Sequence, residues 1–164
     1  MALAKRSQID NIKKHYEDKE LLEFSEETCK IAYTKAPEKE ADVSHILAAM
    51  FQKECFVKKF APLTKFGQFI DAATDAVFED DDGKVYLVEI EYKLANLFKH
   101  KHPIDSFDYV IVWTLDGKVD GYSQEMPWGA AHKSIEVKLL GEKDNWEIKW
   151  GTRSKKVWVL EEMI

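Results

Sequence analysis

Residues 85–115 read VYLVEIEYKLANLFKHKHPIDSFDYVIVWTL, and this stretch decides the fold. It begins with a segment, 85–93, in which charged and apolar residues alternate, as they do in a β-strand whose two faces differ. It ends with 107–115, a nearly continuous apolar run that is rich in β-branched and aromatic residues. Such a run predicts a strand that is buried on both faces in the middle of a sheet.

The segments on either side predict an α/β or α+β domain with a mixed central sheet flanked by helices. Residues 68–78 predict a strand that a polar turn at 80–83 joins to the strand at 85–93. Earlier in the chain, Pro37 is followed by acids, among them Glu40, and by apolar residues at helical spacing, which predicts a helix beginning at Pro37. Later strands are expected near 135–140, 146–150 and 157–160.

The chain has 164 residues, enough for one domain with a buried core. Helical patterns at the N-terminus lead us to divide it into a helical extension, 1–36, and a core domain, 37–164. The N-terminus lacks the apolar segment of a secretory signal, and no run approaches the length of a membrane span. Two cysteines are too few for the disulfide framework of a small secreted protein. These features favour a soluble, cytoplasmic protein with no membrane partner.

Three acidic side chains are expected to meet on one face of the predicted hairpin. Glu89, Glu91 and Lys93 share one face of their strand, because strand side chains alternate between faces. If the turn is centred near residue 82, Asp75 lies opposite Glu89 and diagonal to Glu91, roughly 5 to 8 Å away. Carboxylates this close raise one another's pKa, a cost that a divalent cation would offset. Oxygen ligands alone suit Mg²⁺ or Mn²⁺ rather than zinc.

An aspartate, two glutamates and a lysine around a hard metal ion would form a site for phosphodiester hydrolysis. The alternative is that the alternating strand has one solvated charged face, as many amphipathic strands do. Two features weigh against the alternative: residues 94–102 contain no acid, and the apolar run at 107–115 makes the neighbouring strand central. A central strand with three charges on one face requires a compensating partner.

These residues carry a resemblance to the PD-(D/E)xK restriction-endonuclease-like superfamily of nucleases. The resemblance extends over residues 37–115 and consists of a strand with an acid, a hairpin, a strand with Glu-x-Glu-x-Lys, a helix and an apolar strand. It implies a restriction-endonuclease-like fold and a metal-dependent nuclease, with Asp75 as the first carboxylate and Glu89 or Glu91 as the second. It also implies a further acid from the preceding helix, Glu40.

The motif can be read in two frames, and the sequence leaves both open. In the first frame, Glu91 and Lys93 form the Glu-x-Lys pair of the family. In the second, Glu89 and Glu91 form the pair, glutamate takes the place of lysine, and Lys93 contacts phosphate. The hairpin register slightly favours the second frame. In both frames the expected chemistry is in-line attack of an activated water on a phosphodiester, with Mg²⁺ or Mn²⁺ held by Asp75, Glu89 and Glu91.

Further candidate residues lie near these strands in the sequence. Asp71 and Asp108 are candidate additional acids, and Asp108 would form a hydrogen bond either to His102 or to the backbone. A basic segment follows the second hairpin strand, and its members are expected to contact substrate phosphates: Lys99, His100, Lys101 and His102.

The formal net charge of −6 argues against tight non-specific DNA binding by this domain alone. Part of that charge lies in the predicted acidic cluster, where a cation would neutralise it, and residues 92–102 are basic. We therefore expect a nucleic-acid substrate, in the first place DNA, in a restriction, defence or repair system in which a partner or fused domain delivers it. A non-catalytic module of the same fold, which binds nucleic acid or protein, stays open as the alternative.

Overall fold

The computed structural model describes part of the chain: residues 31, 36–69, 75–100, 104–115, 123–128, 133–143 and 145–163, with backbone alone for 105, 123–128 and 133–136. The chain divides into two compact units, Met1–Ala36 and Pro37–Ile164, and the features below belong to the second. The helical extension predicted for 1–36 lies outside the described residues. The same is true of three candidate site residues: Asp71, Lys101 and His102.

The described residues form three α-helices: α1 (Glu40–Met50), α2 (Glu54–Val57) and α3 (Leu94–Lys99). The helix predicted to begin at Pro37 begins at Glu40 instead. The reason is local, because the backbone of Lys39 is extended and the Glu38 N–H donates to the Asp42 carboxylate at 3.1 Å. Asp42 is therefore in the first turn of α1, where an acid interacts favourably with the helix dipole.

Within the described ranges, eight strands form one sheet: β1 (Lys65–Phe69), β2 (Ala76–Glu79), β3 (Val85–Lys93), β4 (Tyr109–Thr114), β5 (Ser123–Trp128), β6 (Lys133–Glu142), β7 (Asn145–Trp150) and β8 (Arg153–Val159). Their order across the sheet is β1-β2-β3-β4-β8-β7-β6-β5. The pairs β3–β4 and β4–β8 are parallel, and the other neighbouring pairs are antiparallel. The fold is therefore α+β, with a mixed sheet flanked by helices.

The strand predicted over residues 68–78 is wrong, because two strands occupy that part of the chain. β1 ends at Phe69, β2 begins at Ala76, and the two pair antiparallel with each other. This pairing places Phe66 opposite Phe78, with ring centroids 5.1 Å apart. A single continuous strand could not bring these two rings together. β5 was not predicted at all.

β3 and β4 have the central positions that the sequence predicts for them. β3 begins at Val85 and ends at Lys93, with β2 on one side and β4 on the other. In β4, Val110, Ile111 and Val112 have no exposed surface. The apolar run is therefore buried on both faces, as expected for a strand between two parallel neighbours.

Helix α3 follows β3 directly and packs against β3 and β4. Its buried residues Leu94, Leu97 and Phe98 belong to an apolar cluster that includes Val110 and Val112 of β4. This cluster covers one face of the central strands.

Among the residues described, no helix is long and apolar enough to cross a membrane.

Candidate metal centre

The hairpin of β2 and β3 brings Asp75 to Glu89. Ala76 pairs with Val88, and the register of the hairpin is centred on residue 82, as predicted. One step along the ladder, Asp75 lies opposite Glu89. Asp75 Oδ2 accepts a hydrogen bond from the backbone N–H of Ile90 at 2.7 Å, which holds the Asp75 carboxylate against β3.

Glu89 and Glu91 lie on the buried face of β3, with exposed fractions of 0% and 1%. In the parallel register of β3 and β4 they pair with Val110 and Val112, two members of the apolar cluster under α3. The face of β3 that carries the acids is therefore an interior face of the protein. The alternative of a solvated charged face is contradicted for these two residues.

Two more groups reach the same place from other elements. Glu40 is the first residue of α1, and His100 follows the last residue of α3. His100 Nδ1 lies 2.9 Å from Glu91 Oε1, a hydrogen bond when that nitrogen carries the proton. One potential ligand atom from each of Glu40, Glu91 and His100 lies within 4.8 Å of the other two. The group thus combines residues from a helix start, a central strand and a helix end.

The electrostatics of the site follow from burial and from mutual repulsion. Burial is the largest cause that raises the pKa of Glu89 to about 9, followed by a hydrogen bond with Asp75 and by repulsion from Asp75, Glu91 and Glu40. Burial also raises the pKa of Glu91 to about 7, although His100 opposes this rise. Burial, then repulsion from Asp75, raises the pKa of Glu40. The carboxyl groups are therefore close neighbours that hold protons more tightly than ordinary acids do.

One buried oxygen of the site has no hydrogen-bond donor within the described part of the chain, and this atom is Glu91 Oε2. Leaving a buried acceptor unsatisfied costs about 1–3 kcal/mol, and more when the group is charged. Such an atom in a native protein indicates a proton, a water molecule or a cation beside it.

The other predicted site residues are distributed unevenly. Lys93 is the last residue of β3, is partly buried, and leaves the strand on the face of Glu89 and Glu91. Lys99 is exposed at the end of α3.

Asp108 does not join the acids. It directly precedes β4, where its exposed carboxylate accepts a hydrogen bond at Oδ2 from the Leu87 N–H at 2.9 Å. Its own N–H donates to the Leu87 carbonyl at 2.7 Å. The sequence left open whether Asp108 bonds to His102 or to the backbone, and the described structure shows a bond to the backbone. Asp108 thereby extends the hydrogen-bond ladder between β3 and β4.

Sequence reasoning grouped His100 with the phosphate contacts and missed its position beside the acids. The signal was present in the segment LANLFKH, where Leu94, Leu97 and Phe98 are spaced as one face of a helix. Because that face packs on β3 and β4, the residue after the helix returns to the strand that carries Glu91.

Comparisons of the chain with protein-family models, with curated proteins and with solved structures find no match in any of the three.

Proposed function

We propose that this domain is a metal-dependent phosphodiesterase that hydrolyses nucleic acid, in the first place DNA, and that its sheet is of the restriction-endonuclease-like type. The observation that carries the proposal is the burial of Glu89 and Glu91 beside Asp75 on a central strand of the sheet. Burial of acids in a protein interior costs free energy, so their presence there favours a functional role.

The residues present fit a divalent metal ion. Carboxylate oxygens are the ligands that Mg²⁺ and Mn²⁺ prefer, and the buried Glu91 Oε2 has no donor among the described residues. Asp75, Glu89 and Glu91 would hold the ion, with Glu40 as a further acid. An ion bound there would lower the pKa of a water molecule and stabilise the negative charge that develops on the phosphate.

The chain's own groups would position the reactants. The Ile90 N–H fixes the orientation of the Asp75 carboxylate, so this ligand is preorganised. Because Asp75 lies opposite Glu89, the second frame of the motif fits: Glu89 is the second carboxylate, and Glu91 takes the place of lysine and would ligate the ion or orient the attacking water. Lys93, on the same face at the end of β3, would contact the scissile phosphate.

The substrate assignment rests on charge. Lys99 and the basic residues that follow it along the chain would contact the phosphate backbone close to His100. The net charge of −6 limits non-specific affinity, so a partner or fused domain that delivers the substrate is part of the proposal.

The test is hydrolysis of plasmid DNA, single-stranded DNA and RNA with Mg²⁺, with Mn²⁺ and with a chelator. We expect cleavage that requires the cation and that falls by at least about 100-fold in Asp75→Asn and in Glu89→Gln, since even groups that only support a ligand contribute 10–100-fold. Asp108→Asn is the matched control, because the Asp108 carboxylate is exposed and accepts from the Leu87 backbone rather than joining the acids, so its loss should leave the rate unchanged.

Cleavage that persists in Asp75→Asn and Glu89→Gln would contradict the assignment of the site. Absence of cleavage of all three substrates by a folded, cation-loaded protein would contradict the enzymatic proposal and would favour the non-catalytic module.

A further inference from the structure

We propose that Glu40, Glu91 and His100 form a mixed nitrogen–oxygen site for a first-row transition-metal ion, which binds Mn²⁺ in preference to Mg²⁺. The proposal deepens the proposed function, because it assigns His100 as a ligand and thereby selects the metal. It rests on the metal-binding part of that function and is independent of hydrolysis.

The first support is the spacing of the three groups. Adjacent ligands of an octahedral ion, each about 2.1 Å from the metal, are roughly 3 Å apart, and opposite ligands are roughly 4.2 Å apart. His100 Nδ1 and Glu91 Oε1 are 2.9 Å apart, the separation of adjacent ligands. One potential ligand atom from each of Glu40, Glu91 and His100 lies within 4.8 Å of the other two, so small side-chain adjustments suffice for one ion to reach all three residues.

The second support is independent of the acidic character of the cluster. Glu91 is only 1% exposed, and within the described residues its Oε2 has no hydrogen-bond donor. A member of the group therefore has a buried oxygen that requires a partner. A cation at this place would supply that partner.

The third support is the rigidity of the ligands' positions. Glu91 lies on a central strand, and the Leu97 and Phe98 side chains anchor α3 in the core immediately before His100. Glu40 is held at the start of α1, whose Val43, Ile46 and Leu47 are fully buried. A site built on packed elements needs little reorganisation to bind an ion.

The imidazole determines the preference among metals. Mg²⁺ is a hard ion that favours oxygen ligands and retains its waters, whereas first-row transition metals also accept imidazole nitrogen. The remaining groups, Glu40 and Glu91 with Asp75 and Glu89 near them, are carboxylates, which suit Mn²⁺. A site with one nitrogen among several carboxylate oxygens therefore distinguishes Mn²⁺ from Mg²⁺.

The experiment is a titration of the full chain with MnCl₂, followed by the electron paramagnetic resonance of free Mn²⁺, with MgCl₂ and ZnCl₂ as competitors. Pulsed measurements on the Mn²⁺-loaded protein then detect a directly bound nitrogen. We expect Mn²⁺ to bind at least about tenfold more tightly than Mg²⁺, with a ¹⁴N coupling from one imidazole.

His100→Gln should remove the ¹⁴N coupling and weaken Mn²⁺ binding by about tenfold or more, while the affinity for Mg²⁺ changes by less than about threefold. His45→Gln is the matched control, because His45 is an exposed histidine of α1 and its loss should change neither quantity. The ¹⁴N measurement on the unaltered protein needs no variant, so it tests the proposal even if His100→Gln does not fold.

Equal affinities for Mn²⁺ and Mg²⁺, or absence of a ¹⁴N coupling, would each overturn the proposal, whereas displacement of Mn²⁺ by Zn²⁺ is expected, because Zn²⁺ binds nitrogen and oxygen ligands more tightly. The outcomes separate it from the proposed function. A nitrogen-bound Mn²⁺ without any hydrolysis supports this site and contradicts the nuclease. Hydrolysis without a ¹⁴N coupling supports the nuclease and contradicts this site.

Discussion

Glu89 has no exposed surface, and its position against the apolar residues of β4 is the main reason why its pKa is raised. The native state keeps a proton on this carboxyl at pH values at which the unfolded chain has lost it. Between the ordinary value of 4.5 and about 9, the folded protein therefore binds more protons than the unfolded protein does. It follows that, for the metal-free protein, this group lowers the free energy of unfolding as the pH rises through that window.

Replacing the carboxyl should remove this dependence. In the presence of a chelator, we expect Glu89→Gln to raise the free energy of unfolding at about pH 8 by at least about 1 kcal/mol, since one unit of pKa shift corresponds to ~1.4 kcal/mol. The gain should shrink as the pH is lowered towards the ordinary pKa of glutamate. Urea denaturation over a series of pH values measures both effects.

Glu142→Gln is the control for this prediction, because Glu142 is exposed and its replacement makes the same change at the surface, which should not raise the free energy of unfolding at about pH 8. An identical pH dependence in Glu89→Gln and in the unaltered protein would show that Glu89 does not hold a proton in the native state.

At the level of single residues, the sequence pattern predicts which side chains lie on the same face of a strand. It does not predict which elements pack against that face. The alternation of strand side chains and the position of the turn suffice to place Asp75 opposite Glu89. They do not predict that burial exceeds repulsion as the cause of the raised pKa values, because burial depends on how α3 packs. The position of His100 depends on that packing too.

Among the elements, the parallel pair of β3 and β4 is the frame on which the acids are held. Asp108 closes this pair at the end away from Glu91, with both a side-chain and a backbone hydrogen bond to Leu87. Its role in the described structure is therefore to hold the two strands in register rather than to join the site.

We expect Asp108→Ala to lower the free energy of unfolding by about 1 kcal/mol, the net contribution of one hydrogen bond. Affinity for Mn²⁺ should be unchanged, because the Asp108 carboxylate is bonded to the Leu87 backbone and contributes no ligand to the site. Urea denaturation and a metal titration of the same variant test the two statements. A loss of metal affinity without a loss of stability would place Asp108 in the site after all.

The elements themselves were predictable to different degrees. β3 and β4 have long, unbroken patterns, so both were predicted at nearly their observed bounds. The sequence pattern predicts one strand where the structure has β1 and β2. Their antiparallel pairing brings together the distant rings of Phe66 and Phe78, and no local pattern indicates that contact. α1 begins later than Pro37 predicts, since the Asp42 carboxylate binds the Glu38 N–H ahead of the helix.

For the whole molecule, the distribution of charge is more informative than its sum. Four acids from α1 and the central hairpin lie close together: Glu40, Asp75, Glu89 and Glu91. His100 is the basic group beside them, and it opposes the rise in the pKa values of Glu40 and Glu91. A divalent cation would therefore bind where the chain has concentrated part of its net charge of −6. The negative net charge is thus compatible with a site that acts on a polyanionic substrate.

The central claim is that the buried carboxylates of β3 form a metal centre, and diffraction tests it most directly. Crystals grown with MnCl₂ and measured near the manganese absorption edge would locate the ion by its anomalous scattering. We predict a strong peak within about 2.5 Å of a Glu91 carboxylate oxygen and of a His100 ring nitrogen. A fully loaded crystal with no peak at Glu91, or with peaks only at surface acids, would contradict the account.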